Sequence, residues 1–126
     1  MPTPAFLHLI PVLDSTHVDR DVAWYIAHLG FRLTYDSTQY HAGPMDYAVL
    51  ERAGMILHLQ FQYPKDFKAT DIKFEVKGIQ TLFEALQEKG LVKREQFRTD
   101  TPWHTDEFGL KDPSGNRIFF LEERMG

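Results

Sequence analysis

An α+β fold of two βαβββ modules, forming curved mixed sheets around a cleft, is predicted by three observations. The second half repeats the plan of the first 61 residues later: the run Tyr47 to Leu59 falls on Phe108 to Phe120, with Gly54 on Gly115, Glu51 on Asp112 and apolar residues on apolar ones. Each half holds one amphipathic helical stripe that a glycine closes. Each helix is followed by short runs that alternate between an apolar and a polar row, the period of a half-buried strand.

The elements follow in order. Ala5 to Val12 is mostly apolar and runs into the polar stretch Asp14-Ser-Thr-His17, which predicts a strand leading to a helix N-terminus. Val18, Val22, Tyr25, Ile26 and Leu29 form the helix stripe, and Gly30 is placed to end it in a left-handed conformation. Strands are expected at Phe31 to Tyr35, Tyr47 to Glu51 and Met55 to Gln62, the last two joined by a hairpin at Arg52-Ala-Gly54. The second half gives a strand at Asp71 to Val76, a helix striped by Ile79, Leu82, Phe83 and Leu86 and closed by Gly90, then strands at Val92 to Phe97, Glu107 to Lys111 and Asn116 to Glu122. Asp112-Pro-Ser-Gly-Asn116 reads as a tight turn, with Pro presetting φ and Gly supplying a left-handed residue. The irregular stretches Ser37 to Asp46 and Arg98 to Asp106 occupy equivalent places in the two halves and are expected to rim a cleft.

Parity assigns side chains to faces. Met55, Leu57, Leu59 and Phe61 form a core row, leaving Ile56, His58, Gln60 and Gln62 on the other face. Ile72, Phe74 and Val76 are core, opposite Asp71, Lys73 and Glu75; Ile118 and Phe120 are core, opposite Arg117, Phe119 and Leu121. The mixed face is either a wall around a ligand or a solvated face with scattered ion pairs.

A chain of 126 residues is one domain by length and buries roughly two-thirds of its unfolded surface. With no cysteine there is no disulfide, thiolate nucleophile or thiolate metal site. The start Met1-Pro2-Thr3-Pro4 lacks the basic and apolar regions of a signal peptide, and no apolar run is long enough to span a bilayer, so the expectation is a cytoplasmic protein with no membrane partner. A net charge of -4 argues against nucleic acid and favours a cationic or neutral ligand. No phosphate-binding glycine loop, nucleophile elbow or zinc-protease helix is present.

Two groups of residues carry a family resemblance. Ile10-Pro-Val-Leu13 leads into a helix with the aromatic pair Trp24-Tyr25, followed by Leu29-Gly-Phe31. Near the C-terminus stand Pro102-Trp103, Glu107-Phe108, Leu110, Asp112-Pro113, Gly115-Asn116 and Phe120, in that order. Together with the paired modules, these resemble the vicinal oxygen chelate superfamily, also called the glyoxalase/bleomycin resistance/dioxygenase superfamily, and within it bleomycin resistance proteins most. The chain departs from that pattern by one extra residue between Trp103 and Glu107, and by His104 where resistance proteins resemble one another in having a glycine. The resemblance implies a single domain over residues 1–126, with modules at about 5–63 and 69–123. It also implies a homodimer whose clefts draw on both subunits, and metal-independent sequestration of a flat, possibly cationic antibiotic with no chemical transformation.

Metal chemistry in the superfamily uses four inward positions, which the repeat places at Ile10, His58, Asp71 and Phe119. Ile and Phe offer no donor, so the resemblance implies no metal and no other cofactor here. A two-residue shift of the first strand would substitute His8 for Ile10. The enzyme alternative therefore places a divalent metal among His8, His58 and Asp71, for a glyoxalase-like lyase, an isomerase or an extradiol-type dioxygenase. A third reading is binding of an endogenous metabolite.

No catalytic residue is assigned. The expected ligand contacts are Trp103, His58, Tyr47, Gln60, Asp71, Phe119, His104 and Glu107. Trp103 lies outside any periodic element, and an indole on a rim loop stacks flat heteroaromatics; the competing role is a plug in the dimer interface. His58 is read as a hydrogen-bonding cleft residue rather than a base, because no carboxylate is assured beside it. Asp71 either approaches His58 across a dimer interface or simply begins an exposed strand, the second being preferred. Asp106 and Glu107 would put negative charge near a cationic ligand. Phe108 aligns with Tyr47, and His17, His28, His41 and His104 have no metal-like spacing.

Overall fold

The structure, a computed structural model, describes residues 3–125. The chain divides between Phe67 and Lys68 into two compact units. The first contains β1 (Val12–Ser15), α1 (Val18–Leu29), β2 (Arg32–Asp36), β3 (Tyr47–Arg52) and β4 (Met55–Phe61); the second contains β5 (Asp71–Glu75), α2 (Ile79–Glu88), β6 (Thr105–Lys111) and β7 (Arg117–Glu123). The class is α+β, with two helices and two small mixed sheets. No helix among the described residues is long and apolar enough to cross a membrane.

In the first unit the strand order is β1-β4-β3-β2, with β1 parallel to β4 and the remaining pairs antiparallel. Helix α1 buries Val18, Val22, Tyr25 and Leu29 over a core that includes Leu13, Leu50, Leu57 and Leu59. The helix stops at Gly30, where φ is 70° and the N–H donates to the Tyr25 carbonyl. Arg52 Nη1 donates to the freed Leu29 carbonyl at 2.5 Å, and a Cβ on Gly30 would come within 2.8 Å of that guanidinium. Glycine is thus required there twice over, by φ and by space.

In the second unit the order is β5-β7-β6, with β5 parallel and β6 antiparallel to β7. Helix α2 buries Ile79, Phe83 and Leu86. The Phe83 ring meets those of Phe97 and Phe108 edge-on at 5.0 and 5.2 Å, and Phe108 meets Phe120 at 5.1 Å, making the core largely aromatic.

Several expectations are corrected. The first strand begins at Val12, and Ala5 to Pro11 lies outside any strand, with Phe6 99% exposed. Pro11 offers its carbonyl to the His58 N–H but has no N–H of its own to return, so it ends the ladder. Val92 to Phe97 is not a strand. A 3-10 turn at Arg94–Gln96 takes its place, and Gln96 Nε2 donates to the Gly109 carbonyl at 2.9 Å, supplying from a side chain the bond a neighbouring strand would have made. The second module therefore runs βαββ. Ile26 is exposed beyond the edge of the α1 stripe, Met55 and Phe61 are exposed at the ends of β4, and Ile72, Phe74, Val76 and Leu82 are only half-buried.

The repeat also slips. Sliding by 61 carries β4 onto β7, so Leu57 falls on Ile118; Leu57 pairs with Leu50, yet Ile118 pairs with Leu110 rather than Lys111. Strand β6 is therefore one residue out of step with β3. Because side chains alternate, a one-residue slip exchanges faces. The counterpart of Tyr47 is Glu107, and Phe108 matches Ala48 in the core.

The turn that accommodates the slip is tied by buried polar groups. Asp112 accepts from the Gly115 and Asn116 N–H groups and from Asn116 Nδ2, each at 2.9 Å, and Asn116 Oδ1 accepts from the Thr70 N–H at 3.0 Å. One side-chain pair thus fixes the β6–β7 turn and the entry to β5. Asp112→Ala is expected to destabilise the protein by about 2–3 kcal/mol, because donors lose a charged acceptor within a buried turn. Pro113→Ala should cost less than about 1 kcal/mol; equal losses for the two in chemical denaturation would contradict this assignment.

Candidate functional site

The non-core face of the first sheet brings together Tyr47, His58 and Gln60. Tyr47 Oη lies 2.6 Å from His58 Nδ1, with the rings edge to face at 5.3 Å. His58 stands between Val12 on β1 and Val49 on β3, so its surroundings are apolar. Burial lowers its pKa below the ordinary 6.5, which keeps the imidazole neutral at pH 7. Gln60 is already engaged, its Nε2 donating to Asp14 Oδ1 at 2.9 Å across the β1–β4 pair.

These residues do not suit the superfamily's metal. The partner of His58 across the ladder is Val12, and that of Phe119 is Lys73, so Ile10 and Asp71 each lie two residues before the paired position. Bringing His8 opposite His58 would take a four-residue displacement, not two. His58 Nδ1 is occupied by Tyr47, and Asp71 is held by Arg117 Nε. Phe119 and Ile10 have no donor atoms. Among the described residues no group of three or more His, Asp or Glu is gathered to hold a metal ion.

The second unit carries a groove of about 840 Å³ whose wall includes Trp103, Glu107, Gly109 and Phe119. Glu107 sits on β6 with its carboxylate turned toward the loop before it. Trp103 Nε1 and Thr105 Oγ1 both donate to Glu107 Oε2, each at 2.5 Å. These two bonds, Thr105 first, lower the Glu107 pKa below the ordinary 4.5 against the opposing effect of burial. Trp103 is thereby fixed at its N–H edge while 55% of its surface remains exposed. The Arg98 guanidinium lies over the indole, 5.2 Å from its centroid, and Lys73 Nζ lies 6.0 Å from the centroid of Phe119. Phe119 rests on the bare backbone of Gly109, where a Cβ would come within 2.7 Å of the ring.

The eight expected contacts therefore separate. Trp103, Glu107, Phe119 and Asp71 line the groove of the second unit; Tyr47, His58 and Gln60 share one face of the first. His104 lines neither. Its side chain is exposed near Asp100, and its backbone adopts φ 66° in the turn between Thr101 and Thr105, a left-handed conformation that glycine adopts more readily. Asp106 points away from the groove, pairing with Arg124 Nη1 at 2.8 Å. Sequence reading placed Arg98 at the start of an expected rim and Lys73 on the mixed face without naming either as a ligand contact, and it missed Gly109. Arg98 is placed by an isolated bridge to Glu107, which leaves no periodic signal.

His58 is expected to titrate with a midpoint below 6.5, followed by NMR of its ring protons, and to do so in Tyr47→Phe as well, since burial and not the hydrogen bond sets the shift. A midpoint at or above 6.5 in the unmodified protein would contradict the apolar setting. The sign follows: protonation opposes the folded state, so this stability contribution is present above pH 6.5 and is lost as pH falls toward the depressed value.

Residues 3–126 match the family model described as glyoxalase superfamily protein. No curated protein matches in sequence. Solved structures with the same fold include TioX from Micromonospora sp. ML1 (20% identity, TM-score 0.77, 92% of this chain and 98% of that one). The bleomycin-binding protein from bleomycin-producing Streptomyces verticillus, complexed with copper(II)-bleomycin, is also similar (22%, 0.72, 98% and 100%). So is lactoylglutathione lyase from Agrobacterium tumefaciens (13%, 0.73, 97% and 96%). With the family model spanning nearly its whole length, the chain belongs to the glyoxalase superfamily.

Proposed function

We propose that this protein is a metal-independent binding protein that sequesters a flat small molecule of the antibiotic type and leaves it chemically unchanged. The observation that carries the reading is Trp103: its indole is anchored at one edge by Glu107 and exposed along a groove large enough for a drug-sized ligand. A pre-oriented aromatic face binds a flat ring system with little loss of side-chain freedom. The similarity of the fold to a bleomycin-binding protein supports the class of function.

The protein acts in the cytoplasm as a homodimer with binding clefts at the subunit interface. What supports association is the exposed apolar run Phe6, Leu7, Leu9 and Ile10 leading into β1, an edge strand. The lyase, isomerase and dioxygenase alternative requires metal donors that Ile10 and Phe119 lack, and storage of an endogenous metabolite would use the same groove.

The test is a calorimetric titration of chelator-treated protein with 2-naphthamide, a flat neutral probe. Saturable binding at one probe per subunit is expected, with the probe recovered intact. Trp103→Ala should abolish binding with less than about 1 kcal/mol loss of stability. Dissociation or unfolding of that variant would give Trp103 a structural role in place of ligand contact and contradict the reading, as would unaltered binding.

A further inference from the structure

The groove has a charge pattern that narrows the ligand class. Its wall carries four cationic side chains against three carboxylates, an excess of one positive charge in a protein whose net charge is negative. Asp71 is matched by Arg117. Glu107 is occupied by the Trp103 and Thr105 donors, and Lys73 and Arg98 are the two cations near enough to act on it electrostatically. With Glu95 and Lys111 also on the wall, three cations remain against two carboxylates. Among the described residues neither Lys73 nor Arg98 forms an ion pair. Each lies over one of the two aromatic walls, Lys73 over Phe119 and Arg98 over Trp103.

We propose that the groove takes planar aromatic acids carrying a single negative charge, with the ring system against Trp103 and Phe119 and the anionic group between Lys73 and Arg98. This rests on the groove being the binding site, as proposed above, and adds the charge of its ligand. A monoanion balances the local excess, whereas a cation would add to it and be repelled by Lys73 and Arg98. The protein's overall charge, which on its own favours a cationic ligand, acts at longer range and is screened beyond about 8–10 Å at physiological salt, whereas these two side chains would touch the ligand.

Three isosteric probes separate the possibilities: 2-naphthoate, 2-naphthamide and 2-naphthylmethylammonium, each titrated calorimetrically into the intact protein. The acid is expected to bind about tenfold more tightly than the amide, and the ammonium least tightly, with the preference shrinking as salt is raised. Lys73→Gln and Arg98→Gln should each reduce the preference for the acid while retaining amide binding, and Arg98→Lys should largely keep it; thermal unfolding verifies that each variant is folded. Equal affinity for all three probes, or preference for the ammonium, would overturn the charge class while leaving the groove as a binding site. An acid preference undiminished in both glutamine variants would overturn the role of Lys73 and Arg98. Failure of all three probes would overturn this proposal and the binding reading together.

Discussion

The groove of the second unit depends on one carboxylate. Glu107 accepts from the indole of Trp103 and the hydroxyl of Thr105 on the same oxygen, and Thr105 in turn meets Thr101 at 2.7 Å between hydroxyls. The loop between Arg98 and Thr105 has no regular structure to hold it, yet it is closed by this chain of polar contacts and by the exchange of backbone hydrogen bonds between Arg98 and Glu107. Charge-assisted bonds in a buried setting are stronger than neutral ones. Two of them on one acceptor fix a bulky aromatic side chain that no hydrophobic core restrains.

The two units solve the same positional problem differently. On the face away from the helix, the first unit places Tyr47 against His58, a neutral pair in an apolar setting. The corresponding places in the second unit hold Glu107 and Phe119, with Gly109 making room for the ring. Where the superfamily gathers oxygen and nitrogen donors around a metal, this chain has an engaged imidazole and a phenyl ring. These places offer surfaces suited to aromatic and hydrogen-bonded contacts.

Much of the fold was legible because it rests on periodicity. The helix stripes, the left-handed Gly30 and the alternation of Leu57, Leu59, Ile118 and Phe120 are local patterns that one sequence displays. What escaped notice depends on non-local pairing. Pro11 ends the β1 ladder because of what His58 requires, and the Gln96 side chain replaces a strand, which no local pattern reveals. The one-residue slip of β6 is absorbed in the longer Asp112–Asn116 turn, so a repeat of constant period aligned Phe108 with Tyr47 and hid the equivalence of Glu107 with Tyr47. Trp103 was legible as an unexplained aromatic on a rim; its anchoring required knowing which way Glu107 points.

The most direct measurement is the pH dependence of the Trp103 indole N–H resonance by NMR, assigned by comparison with Trp24→Phe. If Glu107 holds the indole, that resonance lies away from the position of a free indole at neutral pH and stays there as pH falls through the ordinary glutamate value of 4.5. It should move only below that value, when the depressed carboxylate takes up a proton and the stability it contributes is lost. A free-indole position at neutral pH, or a transition centred at or above 4.5, would mean that the carboxylate does not organise the groove.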